Sequence, residues 1–140
     1  MGCRMQQRID LVSLVNAALG TPATGLYLDR LSGQALLPAE VAARCGVSVA
    51  VQERYVRVPP IHSRLRLDDA RDFATSIAPP PLRTRVEAIL AGPRAPWAFE
   101  RELARQPELA RAWRDWERAC ATARVLGWLG RINVPFSYPA

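Results

Sequence analysis

All four tryptophans of the chain fall between Ala95 and Gly130, in the stretch APWAFERELARQPELARAWRDWERACATARVLGWLG. No other feature limits the fold as much. Tryptophan carries one of the largest apolar surfaces of any side chain, so a helix rich in it is a natural centre for a core. Trp113 and Trp116 are three apart and share a helical face, which Ala112, Ala119, Ala123 and Leu126 extend. Glu108, Arg111, Arg114, Asp115, Glu117 and Arg118 fall mostly on the other side.

The preceding chain supplies elements to pack against it. Gln6 to Leu19 has a helical apolar rhythm that Gly20-Thr21-Pro22 stops. Two short apolar runs, Gly25 to Asp29 and Gln34 to Pro38, flank Arg30-Leu31-Ser32-Gly33, where Gly33 supplies the positive φ of a tight hairpin turn. The segment from Glu40 to Ala50 reads equally as a short helix broken by Gly46 or as a connection into a strand. Arg54 to Val58 alternates polar and apolar before Pro59-Pro60, as an edge or final strand does.

From Ser63 the period becomes helical, with Ser63 as N-cap and Leu67, Ala70, Phe73, Ala74 and Ile77 as the buried stripe. Pro79-Pro80-Pro81 separates this helix from the next, Leu82 to Leu90, whose Val86, Ile89 and Leu90 point inward. A helix follows from Pro96 to Gln106, and Pro107 opens the last and longest one. Residues 1–8 read as a loose tail and 133–140 as an extended one. The sum is a single α+β domain: an N-terminal helix, a small antiparallel sheet of a hairpin plus one strand, then four helices.

The order of these features resembles a bacterial protein family of unknown function, of the uncharacterised UPF class. The residues that carry the likeness are Tyr27-Leu28-Asp29 with Ser32-Gly33, then Arg54-Tyr55-Val56 and Pro59-Pro60-Ile61-His62-Ser63. Asp72-Phe73, Leu82-Arg83-Thr84-Arg85 and Gly92-x-x-Ala95-x-x-x-Phe99 follow, then Pro107-Glu108-Leu109 with Trp113, and Trp128-Leu129. The likeness spans roughly residues 10 to 132. It implies a shared fold and a bacterial origin, and no activity. It departs at Pro96-Trp97-Ala98, where the family carries an aromatic and two basic residues.

Composition narrows function mainly by exclusion. The net charge is +6, and all 19 basic residues are arginine. That complement, beside many alanines and prolines, points to coding bias before phosphate binding. There is no apolar run of membrane-spanning length, and the N-terminus is a poor signal peptide because Asp10 and Asn16 interrupt it. Cys3, Cys45 and Cys120 are odd in number and widely spaced, as in reduced cytoplasmic thiols. With His62 as the single histidine, no metal site is expected, nor is a cofactor; neither glycine-rich phosphate loop is present. Asp68, Asp69 and Asp72 near a helix start read as surface charge stabilised by the dipole.

Three readings remain. The first is a non-catalytic binding or regulatory module working through protein partners, with Trp97 and Phe99 as a partner surface. The second is a nucleic-acid binder using Arg54, Tyr55, Arg57, His62, Arg64 and Arg66, where guanidinium groups meet phosphates and the rings stack on bases. The third is a thiol-dependent enzyme pairing Cys45 or Cys120 with His62. The order favours the first, since no reactive constellation converges. An oligomeric state does not follow from the sequence.

Overall fold

A computed structural model of the chain describes residues 9–20, 25–45 and 54–134. Six helices and three strands lie among them. They are α1 (Leu11–Leu19), β1 (Tyr27–Asp29), β2 (Ala35–Leu36), α2 (Pro38–Cys45), β3 (Tyr55–Arg57), α3 (Ser63–Thr75), α4 (Pro80–Ala91), α5 (Ala95–Arg105) and α6 (Pro107–Arg131). The fold is α+β, as the pattern of periods implied. Contacts divide the chain into two compact units, residues 1–61 with 121–140, and residues 62–120.

In the first unit, α1 starts at Asp10, whose carboxylate accepts from the Ser13 N–H, and stops at Gly20 in the left-handed region. The sheet is antiparallel in the order β2-β1-β3, with Tyr27 opposite both Leu36 and Arg57. Gly33 takes the expected positive φ, +75°, and its N–H closes the turn onto the Asp29 carbonyl. The ambiguous segment after the hairpin resolves into α2 as far as Cys45; the remainder of it, 46–50, lies outside the described residues.

Leu14, Val15, Leu28 and Val58 share this unit's core with Ala121, Val125, Trp128 and Leu129 of α6. Leu36, Val41 and Tyr55 form a smaller cluster with Tyr27. Asn133 and Val134, read from sequence as the start of an extended tail, close α6 instead. Asn133 adopts φ 58°, and the Val134 N–H reaches the Leu129 carbonyl, so the last turn is capped and Val134 is buried.

The second unit is helical. The N-cap of α3 is His62, whose Nδ1 accepts from the Arg64 N–H at 3.0 Å; Ser63, the cap expected from sequence, is the first helical residue. The imidazole reaches the orphan amide two residues on, which leaves Ser63 no capping role. Pro79 is the N-cap of α4, with Pro80 and Pro81 in the first turn, where no amide is needed. The stripes expected from Leu67 to Ile77 and on α4 hold for the most part: Ala70, Phe73, Ala74, Ile77, Val86 and Leu90 are buried, and Leu67 and Ile89 are half-buried against them.

The stripe expected on α6 holds only in part: Trp113 is buried and Trp116 and Leu126 are half-buried. Ala112, Ala119 and Ala123 are exposed, whereas Leu109 and Trp113 are buried in this unit and Ala121, Val125, Trp128 and Leu129 in the first. Ala121 on the same helix is fully buried, so the three exposed alanines are set by their position around the helix and not by their size.

Candidate functional site

The residues singled out for nucleic-acid contact fall into both units. In the first, the Arg54 guanidinium donates from Nε and Nη2 to the two Asp29 carboxylate oxygens, both at 2.9 Å, and lies 5.2 Å from the Tyr55 ring centroid. Tyr55 itself is buried and Arg57 is exposed. In the second unit, His62 caps α3, Arg64 is exposed, and Arg66 donates to Glu117 at 3.1 Å. The structure therefore brings Arg54 and Tyr55 together and commits Arg54, His62 and Arg66 to intramolecular bonds. Arg57 and Arg64 make no ion pair among the described residues.

Asp29 was legible only as part of a motif. Its side chain is fully buried and also accepts from the Ser32 hydroxyl at 2.8 Å and the Leu31 N–H at 3.0 Å. The Arg54 guanidinium holds this carboxyl well below the usual carboxylate range, against the opposing effect of burial, with help from the Ser32 and Leu31 donors. A carboxylate so fully satisfied is an anchor for the hairpin and for β3, with little proton affinity to offer chemistry.

The trio of aspartates does not converge either. Asp68 pairs with Arg71 at 3.8 Å, Asp69 is buried, and Asp72 is exposed. The Cys120 thiol is half-buried and in no disulfide among the described residues. Among the described residues no group of three or more His, Cys, Asp or Glu side chains comes together to hold a metal.

What does converge is a groove inside the helical unit. Phe99 of α5 and Trp113 of α6 form its aromatic base, with ring centroids 5.3 Å apart, and Phe73 of α3 packs against Trp113 at 5.4 Å. Trp116 leans edge-on against Phe73 at 5.8 Å. Above them Leu67, Ala70, Leu90, Pro96, Phe99 and Trp113 line an open volume of about 250 Å3, and Ser63, Arg66, Glu100 and Glu117 stand around it.

These rim charges neutralise one another. Arg66 pairs with Glu117 at 3.1 Å, Arg114 joins Glu117 at 3.5 Å, and Arg114 also pairs with Glu100 at 3.1 Å. Two cations and two carboxylates give an alternating chain with no net charge. The indole N–H groups of Trp113 and Trp116 are buried with no acceptor among the described residues.

Comparison with family models, with curated proteins and with solved structures gives no match to this chain. The resemblance to the UPF-class family therefore rests on the residues quoted for it.

The structure also separates the two aromatics that the sequence offered as one partner surface. Phe99 is buried beside the groove, while Trp97 is 57% exposed on the opposite face of α5. Positions two apart on a helix lie about 200° around its axis, so Trp97 and Phe99 cannot share a face. Sequence reasoning missed the groove because its walls come from four helices; the one local signal was Arg114 and Glu117, spaced i to i+3.

Proposed function

We propose that the chain is a non-catalytic cytoplasmic binding module of bacterial origin, and that the groove of the helical unit takes apolar side chains from an amphipathic segment of a protein partner. The observation that carries this reading is the combination of an apolar floor with a rim whose charges cancel. Such a surface rewards burial of an aliphatic or aromatic anchor and offers no unopposed charge to an anionic ligand. The rim carries both signs, so the matching segment bears acidic and basic residues beside its anchor.

The test is selection from a phage-displayed library of amphipathic helical peptides, followed by calorimetry on the winners. Selected peptides are expected to carry one or two large apolar anchors. Their affinity should fall about tenfold or more for Leu67→Asp and for Ser63→Trp, which narrows the mouth without touching the core. Peptides that bind both variants as tightly as the parent chain would remove the groove from consideration.

A further inference from the structure

We propose that the outer face of α4 and α5 binds single-stranded nucleic acid, with Trp97 as the stacking platform for a base and Arg101 and Arg105 as phosphate contacts. This site is separate from the groove and does not depend on it. Trp97, Arg101 and Arg105 recur at i, i+4 and i+8, so they form one stripe along α5. The Arg101 guanidinium sits 4.7 Å from the centroid of the Trp97 ring. Together with Arg85, Ala88 and Ile89 the stripe lines an open trough of about 410 Å3.

The trough has an excess of positive charge, unlike the groove, since Arg85, Arg101 and Arg105 line it beside a single carboxylate. Its carboxylate, Glu102, is only 4% exposed and is fully engaged, by Arg85 Nε at 2.9 Å and by the Gln106 side-chain amide at 2.9 Å. Among the described residues no ion pair joins Arg101 or Arg105 to a carboxylate, nor Arg94 one turn before Trp97. A cationic stripe beside a solvent-facing tryptophan suits a ligand that presents π-faces and phosphates together. A duplex keeps its base faces stacked internally, and an acidic peptide offers no face for the indole. The complementary class is a single strand.

The experiment is anisotropy of fluorescein-labelled dT12 on the full chain at ~50 mM salt, repeated over a salt series. With about three phosphate contacts, log K should fall against log salt with a slope of about −2. Trp97→Ala should weaken binding about tenfold or more, and Trp97→Phe should restore most of it. The double change Arg101→Ala with Arg105→Ala should flatten the slope by about 1.4 units. Circular dichroism identical to the parent excludes unfolding, since all three side chains are exposed.

Any of three results overturns the proposal. They are absence of dT12 binding at ~50 mM salt, unchanged affinity in Trp97→Ala, or polyglutamate competing as effectively as dT12. Loss confined to Arg57→Ala and Arg64→Ala would equally refute it.

Discussion

Asp29 shows how one side chain can organise a turn and a strand at once. Its carboxylate gathers Leu31, Ser32 and Arg54, so it fixes both the hairpin loop and the approach to β3. Asp29→Asn removes the charge and leaves Arg54 short of a partner, which should cost about 2–3 kcal/mol in urea unfolding at neutral pH. The pH dependence follows from linkage. The folded carboxyl is held below its ordinary range, so the unfolded chain takes up the proton first. The stabilisation is present in full above about pH 4 and drains away as pH falls towards the folded-state value. The parent should therefore lose more stability than Asp29→Asn between pH 7 and pH 3, and equal losses would mean that another group governs the acid limb. At the start of α3, His62→Ala should cost about 1 kcal/mol by the same unfolding measurement, whereas Ser63→Ala should cost little, because Ser63 caps nothing.

At the scale of elements, α6 is where the period alone misled. A tryptophan pair and several alanines draw a plausible face, yet Ala112, Ala119 and Ala123 are exposed while Ala121 is buried. Trp113 lies between Phe73 and Phe99 and is 3% exposed, so Trp113→Ala should cost about 3–5 kcal/mol. Ala119→Glu, on the face that the sequence suggested was inward, should stay within about 0.5 kcal/mol. A thermal-melt comparison of the two variants separates these faces directly, and a large loss in Ala119→Glu would restore the original one. Element boundaries were far more legible. Proline at the first turn of α4, α5 and α6, and glycine at the end of α1, act through the backbone of the same few residues, so tertiary context had little room to override them.

For the whole molecule, the net charge of +6 is carried by arginine alone. Long-range attraction to polyanions needs only that charge, without any particular site. Heparin, which has no bases, should hold the chain at ~50 mM salt and release it by about 500 mM. Trp97→Ala should elute where the parent does. Later elution of the parent would mean that the indole contributes to polyanion binding without stacking on a base. No helix among the described residues is long and apolar enough to cross a membrane.

The α+β class, the three strands and the helix succession apart from α2 were written locally, in hydrophobic period and in proline and glycine placement, because those signals act within a few residues. The partners of the charged side chains were not. Asp29 finds Arg54 across 25 residues, Glu102 finds Arg85 across 17, and Arg66 finds Glu117 across 51. Each pairing turns a residue that looks available in sequence into one already bound, and it is these closures that reduced the 54–66 arginines to Arg57 and Arg64. Helical geometry alone sets Trp97 and Phe99 on opposite faces of α5. Which of them faces the core was decided by the packing of α3, α4 and α6 around Phe99, and burial of that kind depends on every element that closes over the site.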